Sequence, residues 1–210
     1  MDAHQDGPQN PYGMDEDCRN CPGLCDVRER VVHGYGDVGA DFVFVGEAPS
    51  EGAEQTGVPF TGDEAGERFQ HVLGSVGLNY SLPSSDEPEL DNAYLTYLTR
   101  CRHPAREPSD EEVATCEPYL NADIRIINPE VLVPVGQRAL TELGKEYTTT
   151  PADDLDVEEC HATTIRGRGF ELAPMIHPAD QTDAQREEYV EFFLDLLDTD
   201  YRQTKGRRGR

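Results

Sequence analysis

The stretch from Phe42 to Gly66 constrains the fold more than any other part of the chain. Phe42-Val43-Phe44-Val45 is a short apolar run of the kind that forms a buried strand. It stops at Gly46-Glu47-Ala48-Pro49, a turn that neither helix nor strand geometry accommodates. Small and acidic residues follow as a loop, then Gly57-Val58-Pro59-Phe60, and a helical pattern starts after Gly62. Open α/β sheets bind ligands at the carboxyl ends of their strands. The loop is therefore expected at such an end, holding carboxylates and one aromatic ring in a frame of Gly and Pro.

The rest of the chain repeats strand, loop and helix about four times, the pattern of a mainly parallel sheet with helices on both faces. Ala65, Phe69, Val72, Leu73 and Val76 share one helical face, and Gly77 suits its end. A short helix or turn is expected around Val27 to Val32, and strands at 93–98, 131–135 and 172–176. Ser109-Asp110-Glu111-Glu112 is a capping box that opens a helix running to Pro129. Gly136 starts another helix, residues 145–168 read as an irregular acidic insertion, and Asp183 is expected to cap the last helix. Residues 1–17 are read as disordered, 18–200 as one domain, and 201–210 as a basic flexible tail. One domain is what 210 residues ordinarily make.

Asp and Glu number 42 against 18 Lys and Arg, a formal charge of -24. The acids spread along the whole chain, whereas interaction tails concentrate them in blocks. We read this as an ordinary fold adapted to high salt, where charge is screened within about 3 Å at 1 M. The acidity does not exclude nucleic acid. No apolar run approaches the roughly 18 residues of a membrane span, and the polar N-terminus is not a secretory signal. A cytoplasmic monomer is expected.

Six cysteines stand at 18, 21, 25, 101, 116 and 160. Cys18 and Cys21 form a chelate bite in a Pro/Gly turn, and fourteen residues separate Cys101 from Cys116. Two thiolate pairs suit zinc or an iron–sulfur cluster. Cys25 reads as a spare thiol or a substitute for Cys21, and Cys160 as a free thiol.

Cys18-x-x-Cys21, Gly46-Glu47-Ala48-Pro49, Gly57-x-Pro59-Phe60, the Cys101/Cys116 spacing and His177-Pro178 occur in an order that resembles the family 4 uracil-DNA glycosylases. Arg28 and Cys101-Arg102-x-Pro104 fit the same pattern. The resemblance implies a four-stranded parallel sheet in a three-layer α/β fold. It also implies a structural [4Fe–4S] cluster on Cys18, Cys21, Cys101 and Cys116, and hydrolysis of the bond between a deaminated base and deoxyribose in DNA. By the same resemblance Phe60 stacks on the base and Ala48 positions base or water. His177 donates to the departing base, and Glu47 orients water or stabilises the sugar cation.

The chain departs from the family at several positions. Ser50 replaces a glycine, and Ala53-Glu54 replaces an acidic pair. Tyr97 stands where the family carries the asparagine that reads the uracil edge, and a phenol cannot reproduce an amide's paired hydrogen bonds. After His177 the segment Ala179-Asp180-Gln181-Thr182-Asp183 is polar where an apolar wedge is usual, which implies weak insertion or a single-stranded substrate. Arg100, Arg102, Arg106, Arg166, Arg168 and the tail arginines are the candidate phosphate contacts. Two rival readings follow. One is a catalytically weak or inactive relative that binds nucleic acid. The other is a metal-bearing binding module of unrelated function, in which Phe60, Glu47 and His177 would not converge.

Overall fold

The computed structural model describes Met14 and residues 16–202. Most of the N-terminal stretch and most of the basic tail expected from the sequence lie outside the described residues. The segment nearest the domain is packed: Met14 is buried among cysteines, and Glu16 sits 2.8 Å from His33. At the other end Arg202 pairs with Asp41 at 2.6 Å.

A six-stranded sheet runs in the order β1-β3-β2-β4-β6-β5. Its strands are β1 (Tyr35–Gly36), β2 (Phe42–Gly46), β3 (Ala93–Tyr97), β4 (Val131–Pro134), β5 (Ile165–Arg166) and β6 (Glu171–Leu172). The inner four, β3-β2-β4-β6, are parallel, as expected. The two-residue edge strands β1 and β5 pair antiparallel and were not foreseen, because two residues carry no readable period. The expected strand over 172–176 is shorter as a ladder because Pro134 of β4 has no N–H to give to the Ala173 carbonyl. Ala173 and Met175 nevertheless donate to Leu132 and Pro134 of β4.

Period-two alternation divides the sheet between two cores. Phe42 and Phe44 of β2 face one side, with Leu95, Val131 and Val133. That side is closed by α3 (Glu64–Ser75) and α7 (Asp183–Asp198) through Phe69, Leu73, Tyr189 and Phe193. Val43 and Val45 face the other side, closed by α4 (Asp110–Ile127) and α5 (Gln137–Tyr147) through Val113, Leu120, Ile124 and Leu143. Phe42 and Phe44 are fully buried, each worth roughly 1.5–3 kcal/mol in transfer from water. Phe193 lies against both, with ring centroids 4.9 and 6.0 Å away.

Local chemistry sets the helix ends, and in four places it corrects the sequence reading. The first helical turn, α1, is Pro22–Cys25, inside the cysteine run; Pro22 presets the backbone at its start, so the turn precedes Val27. The acidic loop after β2 contains a helix, α2 (Glu51–Thr56). Ser50 caps it by accepting from Ala53 N–H at 3.1 Å, and Gly57 ends it at φ 83°. The last helix is capped by Thr182, with Gln185 closing a capping box; Asp183 is its first helical residue. The acidic insertion holds a short helix α6 (Val157–Cys160), capped by Asp156, and the edge strand β5. Ser109 and Glu112 form the expected box on α4.

Between β3 and α4 the second core holds one ion pair, Arg100 with Asp123, both almost wholly buried. Thr96 donates to the same carboxylate at 3.0 Å. Replacing Arg100 by Ala strands a buried carboxylate, and unfolding titrations are expected to show a loss of about 3–5 kcal/mol. The double replacement Arg100→Met with Asp123→Leu should recover most of that loss. An unchanged midpoint for the single variant would contradict this account.

Candidate active site

The chain crosses from β2 to β3 on one side and then to β4 on the other, so the carboxyl end of β2 is a topological switch point. A cavity of about 460 Å³ opens there. Its floor is Gly46 to Ser50, its walls are Phe60 to Gly66, Arg102 to Pro108, and His177-Pro178, with Tyr97 alongside. Glu47, Ala48, Phe60, Tyr97 and His177, far apart in sequence, therefore line one space. The reading in which ring, acid and imidazole fail to meet is not what the structure shows.

Gly46 makes this closure feasible. A Cβ there would fall 2.8 Å from the Phe60 ring and 2.9 Å from that of Tyr97. Phe60 itself takes a left-handed backbone, φ 57°, and its two peptide groups are both held. Its N–H donates to the Tyr97 hydroxyl at 2.8 Å, and its C=O accepts from Gln70 Nε2 at 3.1 Å. Phe69 stacks on one face of the Phe60 ring at 4.3 Å and 20°. Tyr97 leans on it at 4.9 Å and 33°. Phe60 is thus packed by two rings and still contributes to the cavity wall.

Glu47 is half-buried, and burial lifts its pKa above the carboxylate norm; Glu107 adds to the lift and Arg138 opposes it. His177 is shifted the other way: burial lowers its pKa, against the pull of Asp180 and Asp63. Its ring is therefore neutral at pH 7. Ala179 N–H donates to His177 Nδ1 at 3.3 Å, which leaves the ring proton on Nε2. Burial likewise keeps the Tyr97 phenol protonated.

Sequence reasoning missed Asp63, His103 and Glu107 as members of the site. Asp63 lines the cavity while capping α3 by accepting from Gly66 N–H at 2.7 Å. Glu54, from the altered acidic pair, is buried; it accepts from Glu29 N–H at 2.8 Å and lies 3.5 Å from Arg102. Ala53 is fully buried beside it. The wall from Arg102 to Pro108 was foreseen only as arginines, although His103 and Glu107 stand in the same run. Two expected phosphate contacts are misplaced. Arg100 is buried on Asp123, and Arg168 bonds through its backbone to Tyr147, at the end of α5 away from the cavity.

Cys18, Cys21, Cys101 and Cys116 gather in one small cluster with Met14, Leu24, Val31 and Tyr119. Burial, reinforced by neighbouring thiols, raises Cys21 to about 11 and Cys101 to about 12. Arg28 donates to Cys101 Sγ at 3.2 Å. Cys25 donates to the Cys18 carbonyl at 3.2 Å, and Cys160 lies in a separate apolar cluster with Leu140 and Leu155. Among the described residues no group of three or more His, Cys, Asp or Glu has the arrangement to hold a metal ion. Sulfur is the donor type that soft metals select.

Comparison with known proteins follows from this geometry. The family model described as the Uracil DNA glycosylase superfamily matches residues 33–198. The chain is 36% identical over 156 residues to the type-4 uracil-DNA glycosylase of Archaeoglobus fulgidus, covering 74% of this chain and 68% of that one. It is 32% identical over 169 residues to the type-4 enzyme of Thermotoga maritima, covering 77% and 76%. A type-5 uracil-DNA glycosylase of Pyrobaculum aerophilum is 27% identical over 181 residues, covering 77% and 78%.

The electrostatics of Glu47 can be checked through stability. Its pKa is higher folded than unfolded, so stability falls as pH rises through the folded value. Below about pH 4 the carboxyl is protonated in both states and the penalty vanishes. Glu47→Gln is expected to melt above wild type at pH 7 and level with it in that acidic range. A variant less stable than wild type at pH 7 would refute the burial argument.

Proposed function

We propose a function from one premise: the chain belongs to the uracil-DNA glycosylase superfamily. It is a DNA repair hydrolase that cuts the N-glycosidic bond of a deaminated base and leaves an abasic site. The observation that carries this reading is the shared cavity of Glu47, Phe60 and His177 at the β2 switch point.

The base must leave the helix stack, at a cost of a few kcal/mol. Contact of the base with Phe60 in the cavity wall returns part of that cost. As the bond breaks, the base becomes anionic and the sugar oxocarbenium-like. His177, neutral and protonated on Nε2, donates to the base oxygen that gains charge. Glu47, at the floor, orients water and balances the sugar's positive charge, with the Ala48 backbone placing base or water. The raised pKa of Glu47 shifts the acid limb of the rate profile upward, with activity rising as pH increases through it.

Tyr97 sets base preference. Its oxygen already accepts from Phe60 N–H, so its remaining function is one O–H donor. Such a donor suits a carbonyl on the base and disfavours an exocyclic amine. Uracil, hypoxanthine and xanthine all carry such a carbonyl. Restoring an amide by Tyr97→Asn is expected to favour uracil selectively.

The four clustered cysteines, 18, 21, 101 and 116, would hold the [4Fe–4S] centre. Their gathering in one apolar pocket beside the Arg28 guanidinium supports this, but as placed no three of them are set to hold a metal, so binding would draw the thiols together. Held there, Cys18 and Cys21 of the N-terminal segment, Cys101 after β3 and Cys116 of α4 would be cross-linked, and the centre would supply no step of the hydrolysis. The dispersed acidity supports a protein working as a monomer at high salt.

The decisive assay uses oligonucleotides carrying uracil, hypoxanthine or xanthine at molar salt, scored for alkali-labile sites. Excision of at least one base is expected, with Glu47→Gln and His177→Ala each slower by roughly 10²–10³-fold. Absence of cleavage in wild type and in Tyr97→Asn alike would overturn the reading. Purified protein should also show a broad visible absorbance that Cys116→Ala removes, together with a lower melting temperature. A colourless protein containing zinc would refute the iron assignment.

A further inference from the structure

We infer that His103 grips the substrate's backbone, donating from Nε2 to a phosphodiester beside the extruded nucleotide; the inference rests on the glycosylase reading above. β3 and β6 flank the β2–β4 pair, so the segments leaving them face each other across the end of β2. His103 stands in the first segment and His177 in the second, and both line the cavity. The two rings are held alike. Nδ1 of His103 accepts Ala105 N–H at 3.1 Å, as Nδ1 of His177 accepts that of Ala179. A neutral His103 therefore also carries its proton on Nε2. That nitrogen has no hydrogen-bond partner among the described residues.

Its neighbours are already engaged. Arg102 lies 3.5 Å from both Glu51 and Glu54, and Arg106 grips Glu112 through both terminal nitrogens at 2.7 and 2.8 Å. On this wall His103 is the side chain whose one donor makes no bond to the protein among the described residues. The distribution of acids then places the substrate. Glu47 and Asp63 line the floor and the α3 side, where a phosphate would be repelled and a sugar cation welcomed. Glu107 stands on the same wall, four residues beyond His103, and adds to the negative field at Glu47. The sugar thus sits over Glu47 and its phosphate toward His103. Contacts of this kind fix register without reading sequence.

The test is a chemical double-variant cycle at molar salt. Wild type, His103→Ala and His103→Gln are titrated with a duplex carrying a tetrahydrofuran abasic analogue, followed by fluorescence anisotropy. His103→Ala should bind about tenfold more weakly, the cost of one hydrogen bond to a charged group. His103→Gln, which keeps a donor at similar reach, should retain most of the affinity. Methylphosphonates then replace the two linkages flanking the analogue, one at a time. At one linkage wild type should lose about tenfold and His103→Ala nothing further. On a cleavable substrate His103→Ala should raise KM more than it lowers kcat. Equal methylphosphonate penalties in both proteins at both linkages, or no binding of the duplex by wild type, would overturn the contact. Wild type that binds and completes the cycle but excises no base would sink the glycosylase reading and leave the contact standing.

Discussion

The site depends on a close approach at one residue without a side chain. Gly46 ends β2, and the rings of Phe60 and Tyr97 meet over it at distances no Cβ would allow. The Phe60 N–H bond to the Tyr97 hydroxyl then fixes a backbone conformation that costs a bulky residue energy when unsupported. The support continues outward. Gln70 donates to the Phe60 carbonyl and accepts from Asn79, so a buried amide chain ties the cavity wall to the loop after α3. Ring, strand end and helix move as one body, which is what a preorganised base pocket requires.

Tyr97 carries structure and, on the proposed reading, selectivity as well. As an amide at this position would be, it is buried against the pocket. Unlike an amide, it spends its acceptor on the protein's own backbone. The phenol therefore stabilises Phe60 with the same atom that an edge-reading residue would offer to the base. Gain in rigidity and loss of two-way hydrogen bonding are the same event.

Much of this was legible in the sequence because it rests on local chemistry. The apolar run of β2, the capping box of α4 and the periodic face of α3 appear as read, and the residues expected at the cavity do line it. What escaped was either too short to have a period or was decided by distant partners. β1 and β5 are two-residue edges. α2 hides in a loop-like composition, although Ser50 before it and Gly57 after it are signals a stricter search for caps would have weighed. Arg100 looked like a surface cation because nothing local reveals that Asp123, on another element, waits for it inside. His103 was passed over because a histidine in a Pro-containing run is ordinary until topology sets it opposite His177.

Charge poses the remaining problem, since the polymer to be bound is itself anionic. Among the described residues many cations are paired with the protein's own carboxylates: Arg68 on Glu64, Arg106 on Glu112, Arg138 on Asp110, Arg186 on Asp183, Arg202 on Asp41. Paired in this way they give little counterion release when DNA docks, and a weak salt slope follows. On the proposed reading affinity would come from contacts that salt does not screen: a base against Phe60, imidazole N–H groups, and backbone donors at the ends of the strands. These contacts work at short range and only when their geometry is exact to within fractions of an ångström. The rigid packing around Gly46 is thus the condition under which so acidic a surface can hold DNA.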